Sequence, residues 1–566
     1  MKIVLLLLRG GLRGDMKGHG HVGMFLIAFF ALLASAIQAK GETKCIFRAG
    51  LVTDTHIDAT PGACDRARQA FELFKSKGVD LVFHLGDLAT VYCPVGWTNW
   101  VRTIEGVWPA AANRPKFFYV SASHDMWNAG KARTREDVYR EFVKTVGGAH
   151  DINDVCEFRG YPILVFAQFA RGEQQMERMI EKAEKTHPGK PVFVLDHEPG
   201  MDTTYKSLLW GNAKSRQVFD RHPAVVHIGG HAHSAIRCER DIWQGGHTAI
   251  DAACLSGWST EDVGLPSQSV PEAGASVLEV FADKLVVRRF DVLNGGCEIR
   301  PEKPWTVPLP FDPKAAPYAP SARQAADRAP DFAGSLAVQV GTAGDRTVTV
   351  PAAKHPEGVY AYRAELQKAD AAGVWKPFAL RVQMGDFHLP EARRASSVQI
   401  PFGHELFLEG GRFRFVVSAE AQSGLTSAPL VSDPVDIRPD KTLSPVASDG
   451  EVREAEKRGY WTVLPLPEDL CRVPKGTRVT LTFDLEGRDL YGCQLTVAGV
   501  KANYGSALTP TEIREPLRQA FSFVTQADDE RLSLKLGGFG QSSLSGHVRI
   551  SHVRLWKETK GKAGGK

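Results

Sequence analysis

The sequence predicts a multidomain protein, with one α/β domain followed by two all-β sandwich domains. Three observations predict it. The chain has 566 residues, several times the ~150 residues of a typical domain. From Ile46 to about Val292, short apolar runs alternate with helical patterns, the order of an α/β domain. Beyond a Pro- and Ala-rich stretch, Pro301 to Pro330, the apolar period falls to two, as half-buried strands require.

The first element, residues 1–39, reads as a signal peptide. Met24–Ile37 (MFLIAFFALLASAI) carries no charge. It is shorter than the ~20 residues of a spanning helix and fits the apolar region of a leader. Lys17 lies upstream, and Ala34, Ser35, Ala36 and Ala39 allow cleavage after Ala36 or Ala39. Met16 is an alternative start that gives a shorter leader. The expected location is exported: periplasmic, secreted or at the cell surface. No membrane span is expected after cleavage.

Residues 40–300 form the α/β domain. Its strand candidates are Ala49–Thr53, Val79–Leu85, Phe117–Val120, Ile163–Ala167, Val192–Leu195 and Ala224–Ile228. Between them, Ala67, Ala70, Phe71 and Phe74 share one helical face that Gly78 ends. Thr134 and Asp137 have the spacing of a capping box, opening a helix with Val138 and Phe142 inward. In Glu173–Lys185, the residues Met176, Met179, Ile180 and Ala183 line one side, a core stripe.

Residues 301–332 read as a linker. In 333–439 the strand candidates are Leu336–Val340, Thr347–Val350, Val359–Leu366, Phe413–Val417 and Val435–Ile437. In 440–558 they are Val479–Leu485, Ala520–Val524, Leu532–Leu536 and His547–Leu555. Residues 559–566 are a basic tail.

Composition narrows the function classes. Lys plus Arg number 69 against 65 Asp plus Glu, a net charge of +4, without the basic stripe of a nucleic-acid binder. The 54 glycines and 33 prolines fall well short of the ~25–30% typical of composition-driven disorder. The nine cysteines include no CxxC pair, which argues against a cysteine zinc site. Export permits disulfides; Cys471 and Cys493, alone in the last third, are a candidate pair.

The chemistry lies just past the α/β strands. Asp54-Thr55-His56, Gly86-Asp87, Ser123-His124-Asp125, Asp196-His197 and Gly230-His231-Ala232-His233 each follow an apolar run. Ligands bind at the carboxyl ends of strands in such sheets. Five strand ends therefore bring carboxylates and imidazoles to one crevice, a donor set suited to zinc, iron or manganese rather than calcium.

This ordered set resembles the calcineurin-like metallophosphoesterase superfamily. The resemblance implies a β-sandwich flanked by helices and hydrolysis of phosphomonoesters or phosphodiesters. By matching position it implies two divalent metal ions, whether Zn, Mn, Fe or Mg. Asp54, His56 and His233 would hold one, His197 and His231 the other, and Asp87 would bridge both. Such a pair can hold a bridging hydroxide and clamp phosphoryl oxygens. His124 would protonate the leaving group, with Asp125 orienting its ring.

The sequence departs from the family at Ser123, which stands where an Asn ligand is expected. Ser has the shorter reach, so the second metal is expected to bind more weakly. Purple acid phosphatases carry Gly at the His56 position and Tyr at that of Thr90, so no tyrosinate-iron site is expected.

Other histidines read as structural. His84 and His227 are packed within strands, and His247 is a substrate-contact candidate. Trp97, Trp100 and Trp108 pack a loop. RFRFVVSAEAQSGLTSAP resembles the late strands of a fibronectin type III domain, and GHVRISHVRLW the closing strand of galactose-binding-like jelly rolls of carbohydrate-binding modules. These imply glycan or cell-surface polymer as a partner. The alternative is a catalytically degenerate metal-binding protein whose β modules bind glycan. Every matched site residue precedes Val292, so a chain ending near Pro310 is expected to keep activity on small substrates.

Overall fold

The computed structural model describes residues 44–57, 62–130, 133–148, 150–170, 172–260, 268–341, 344–456, 461–466, 473–490, 493–500, 502–508, 513–527, 531–538 and 546–558. The expected leader and basic tail lie outside them. So does Cys471, and with it the expected pairing to Cys493. Among the described residues, no helix is long and apolar enough to cross a membrane.

The chain opens with β1 (Phe47–Val52), α1 (Ala63–Ser76), β2 (Leu81–His84), α2 (Pro94–Val107) and β3 (Lys116–Tyr119). The short α3 (Ser123–Met126) and α4 (Arg135–Val146) follow. Next come β4 (Asp154–Phe158), β5 (Tyr161–Val165), α5 (Glu173–Thr186), β6 (Val192–Leu195), α6 (Ser207–Trp210), α7 (Ala213–Phe219) and β7 (Val225–Gly229). The domain closes with β8 (Ile242–Gln244), β9 (Thr248–Asp251), β10 (Trp258–Ser259), β11 (Ser269–Val270), β12 (Gly274–Val280), β13 (Lys284–Asp291), β14 (Cys297–Ile299) and β15 (Trp305–Pro308).

Two sheets face each other. One runs β14-β13-β12-β1-β2-β3, with β15 beside β13; the other runs β4-β5-β6-β7-β9-β8. Strand alternation explains the layering. Phe47, Ala49 and Leu51 of β1 and Leu81 and Phe83 of β2 point between the sheets, where they meet Ile163, Phe193 and Ile228. Val52 and Val82 point the other way, onto Phe71 and Phe74 of α1 and Trp97 and Trp100 of α2. Strands buried on both faces read as continuous apolar runs, which is why they stand out in the sequence. α1 ends as expected, with Gly78 at φ +63°. The capping box also forms: the Asp137 N–H donates to Thr134 Oγ1 at 3.1 Å, and the Thr134 N–H to Asp137 Oδ2 at 3.2 Å.

The expected linker differs from its reading. Residues Trp305–Pro308 are a strand paired with β13. Trp305 is buried and its Nε1 donates to Glu239 Oε2 at 2.7 Å. The helix α8 (Pro320–Ala326) follows, with Arg323 donating to the carbonyls of Glu239 and Ile242. Pro and Ala dominate the composition, but Trp305, Val307 and Tyr318 supply anchors that a compositional reading passes over.

The C-terminal region is all-β. Val348, Val350, Ile400 and Phe402 share one core with Tyr362, Leu366, Phe415 and Val417. Leu481, Phe483, Leu495, Val497, Leu534 and Leu555 share another. Within the first lie two strands the alternation did not reveal, Trp375–Met384 and Ser397–Phe402.

Candidate metal centre

The two sheets meet at one edge of their carboxyl ends, where Thr53, just past β1, bridges Cys254, just past β9. The turns there are tight. Asp54, His56, Asp87, His231 and His233 all take left-handed backbone conformations, with φ between 46° and 68°. Asp and His tolerate this region better than most residues, yet each such position costs ~1–3 kcal/mol. The strain is offset by main-chain bonds between turns. The Asp54 N–H donates to the Gly86 carbonyl at 3.0 Å and the Thr55 N–H to that of Asp87 at 3.0 Å. Two glycines are sterically required. A Cβ on Gly86 would lie 2.4 Å from His197 Nδ1, and one on Gly230 would lie 1.9 Å from Thr53 Oγ1.

These turns gather two clusters of ligand atoms. Asp54, His56 and His233 form one; Asp87, His197 and His231 form the other. His56 Nε2 and His233 Nε2 lie 3.2 Å apart, and His233 Nε2 lies 3.3 Å from Asp54 Oδ1. In the second cluster, His197 Nε2 is 3.2 Å from Asp87 Oδ2, and it also lies 4.0 Å from Asp54 Oδ1. The free ring nitrogens are set from behind. His197 Nδ1 donates to the Leu85 carbonyl at 2.7 Å and His233 Nδ1 to that of Gly257 at 3.1 Å, so each Nε2 faces its cluster.

The electrostatics of the site call for positive charge. Burial alone would raise the Asp87 carboxyl, but His197 outweighs it and holds Asp87 down to about 2. Asp54 follows the same logic: burial opposes its charge, and His233 and its neighbours hold it well below the usual range. Burial lowers His56 to about 4 and His231 to about 3, leaving both rings neutral near pH 7. The fit to divalent metal ions is direct. Asp54 Oδ1 and His197 Nε2 are buried without a hydrogen-bond partner, and the donors are imidazoles and carboxylates.

The remaining predicted residues lie beside these clusters. His124 is the second residue of α3; its N–H donates to Asp87 Oδ1 at 3.2 Å and its Nε2 lies 3.9 Å from Asp87 Oδ2. Its Nδ1 meets the Thr90 carbonyl at 2.8 Å. That carbonyl, not Asp125, orients the ring. Asp125 instead accepts from the Ala89 and Ala122 N–H groups, both at 3.1 Å. It pins the Asp87 turn to the His124 turn, because each of its two oxygens takes a main-chain donor from one of these turns. Burial, then the charge of Asp87, push it up to about 7.

Ser123 donates its main-chain N–H to Gln168 Oε1 at 2.7 Å. Gln168 Nε2 in turn donates to Glu198 Oε1 at 2.6 Å. Both were missed from sequence, though each follows an apolar strand as the other site residues do. Thr90 was missed as well; its hydroxyl lies 3.2 Å from His56 Nδ1.

His247 is not at the crevice. It lies at the opposite end of β9, buried, with Nδ1 2.8 Å from Asp220 Oδ1. Trp97 and Trp100 are core residues of α2, and Trp100 Nε1 donates to Tyr119 at 3.1 Å. The aromatic residues at the site are others. Trp127 packs on the His124 ring at 3.9 Å and is 51% exposed. Trp210 sits 5.3 Å from the His231 ring.

Residues 47–235 match the family model of the calcineurin-like phosphoesterases. They form a calcineurin-like phosphoesterase domain. The protein is accordingly a metal-dependent phosphoric ester hydrolase. No curated protein matches the chain. Among solved structures, a dimetal phosphatase from Danio rerio is 12% identical, covering 47% of this chain and 100% of its own at a TM-score of 0.35. A purple acid phosphatase from yellow lupin is 13% identical over 47% of this chain and 54% of its own, with TM-score 0.34. The C-terminal CBM6 of a marine laminarinase from Zobellia galactanivorans is 13% identical, over 20% of this chain and 94% of its own, with TM-score 0.14. All six residues of the two ligand clusters lie within the matched span.

Proposed function

We propose that the protein is an exported dimetal phosphoesterase acting on phosphomonoesters or phosphodiesters. The observation that carries this is the pairing of two three-residue clusters, each with one carboxylate and two imidazoles, in one crevice. Asp54, His56 and His233 would hold one ion and Asp87, His197 and His231 the other, with Asp87 the residue that would be shared between them. Bound there, the ions supply Lewis-acid charge neutralisation for the phosphoryl oxygens. The protein's own groups do the rest. The Thr90 carbonyl fixes the His124 ring, which leaves Nε2 to deliver a proton to the departing oxygen. Asp125 and Gln168 hold the turn that carries it.

The apolar leader at Met24–Ile37, preceded by Lys17, supports export; N-terminal sequencing of the mature protein tests it. The two all-β units are read as a fibronectin type III-like module and a jelly-roll module that places the enzyme on glycan or cell-surface polymer. Separate cores support two modules. So does the strand pairing of the first, three strands in one sheet and five in the other.

Ser123, in place of an amide ligand, favours the second reading, a degenerate site that binds without turnover. The deciding experiment is a screen of phosphomonoesters and phosphodiesters with Zn²⁺, Mn²⁺, Fe²⁺ and Mg²⁺. Turnover of either ester class is expected. Metal binding with no hydrolysis of any ester would select the degenerate reading.

A further inference from the structure

We propose that the first all-β unit is a working part of the metal centre, holding His233 in place through Trp258. This rests on reading Asp54, His56 and His233 as the ligands of one ion.

The chain of contacts is short. His233 Nδ1 donates to the Gly257 carbonyl at 3.1 Å, and the His233 carbonyl accepts from the Ser259 N–H at 3.0 Å. The ligand is therefore clamped on both sides by the residues flanking Trp258. Gly257 sits at φ +133°, and a Cβ there would lie 2.7 Å from Ser269 Oγ, so the carbonyl's direction is set by backbone that other residues cannot adopt. Trp258 is fully buried. Its Nε1 donates to the Tyr205 hydroxyl at 2.9 Å, and that hydroxyl donates to the Ser259 carbonyl at 2.8 Å.

The other side of the indole is covered by the all-β unit. Phe387 meets it edge-on at 5.3 Å, and His388 packs at 4.7 Å. Tyr360 backs Phe387 at 5.2 Å. Ala232, the residue between His231 and His233, is buried in the same apolar cluster as Trp258, Tyr360 and Phe387. A polar ring surrounds it. Arg240 stacks on Tyr360 at 3.6 Å and pairs with Glu420 at 2.8 Å. Gln422 accepts from the Glu239 N–H at 2.6 Å.

Removing the support leaves His233 tethered to a turn whose indole has lost its packing. Ligand misplacement of this kind commonly lowers metal affinity 10–100-fold. The effect is specific, because His197 is fixed by the Leu85 carbonyl on another strand.

The test is calorimetric titration of the full-length protein with Zn²⁺ or Mn²⁺ alone, without substrate. Phe387→Ala is expected to weaken one of the two binding steps about 10-fold and to leave the other unchanged. His388→Ala, which removes less packing, is expected to act in the same direction more weakly, and it serves if Phe387→Ala does not fold. Phe387→Leu is expected to restore most of the affinity. Gln422→Ala, on the same interface but off the indole, is expected to change neither step. Unchanged affinity in folded Phe387→Ala or His388→Ala would overturn the proposal, as would equal weakening of both steps or equal loss in Gln422→Ala. A wild type that binds no metal would instead overturn the metal reading on which this rests.

Discussion

Asp87 carries more of the site than any other residue. It faces His197 at 3.2 Å and accepts the His124 N–H at 3.2 Å, so it links one cluster to the His124 turn. Asp87→Ala is expected to cost roughly 100-fold or more in turnover and to lower bound metal, measured by steady-state rates beside metal analysis. Full activity in the variant would remove Asp87 from the centre. Ser123 makes the opposite case. Ser123→Asn adds the amide ligand the family carries, and is expected to tighten the weaker metal step by about 10–100-fold. Two equal steps in the wild type, unmoved by the substitution, would contradict the asymmetry. Trp127 leaves half its indole open beside His124. Stacking of a flat ring is worth ~1–3 kcal/mol. Trp127→Ala is therefore expected to raise KM for an aryl phosphate roughly 5- to 150-fold and to leave an alkyl phosphate nearly unchanged. A uniform change across both esters would show the indole only packs on the histidine.

At the scale of elements, the segment after His233 is clamped to the sheet by a half-buried acid. Glu272, just before β12, accepts from the Ile236 N–H at 3.2 Å. Burial first, then the charge of Asp291, raise it to about 8. Arg237 faces it as well and pulls the other way. A carboxyl raised in the folded state binds its proton more tightly there than when unfolded. Its contribution is fully present below about pH 4.5 and is lost as pH rises through about 8. Melting temperatures of wild type and Glu272→Gln from pH 5 to 9 check this. Wild type is expected to lose stability relative to the variant across that range, and parallel profiles would contradict it. The elements themselves were largely legible in the sequence. Strands buried on both faces carry unbroken apolar runs, and α1 and α4 carry their face and cap in local spacing. Trp375–Met384 was not legible, because it is only partly buried along its length and lacks clean alternation.

At the scale of the molecule, the sequence led to the expectation that the catalytic part works alone. All ligand candidates do precede Val292. The structure places Tyr360 and Phe387 on the far side of Trp258, and Arg300 pairs with Glu357 of the all-β unit at 2.7 Å. A chain ending near Pro310 would expose Trp258, Ala232 and Tyr205 to water. It is expected to melt at lower temperature than the full chain and to bind metal less tightly, followed by circular dichroism and calorimetry. A truncated chain with full-length stability and affinity would return the all-β region to the role of a spacer.

The sequence by itself determined the α/β order, the ligand types and their positions past successive strands, because each depends on spacing within a few residues. It also carried the family resemblance, because that rests on the same short motifs. Only the tertiary structure decided which groups stand behind the ligands. Thr90 fixes His124 through a main-chain carbonyl that any residue supplies, and the Gln168 side-chain amide and the positive-φ turn at Gly257 belong to no spaced motif, so none of the three stands out in the sequence. Adjacency to His124 in sequence says nothing of where the Asp125 carboxylate points, which is to the Ala89 and Ala122 N–H groups. The linker and the all-β unit were read as separate from the site for the same reason. Packing between residues more than a hundred positions apart, such as Trp258 against Phe387, leaves no periodic mark on either segment.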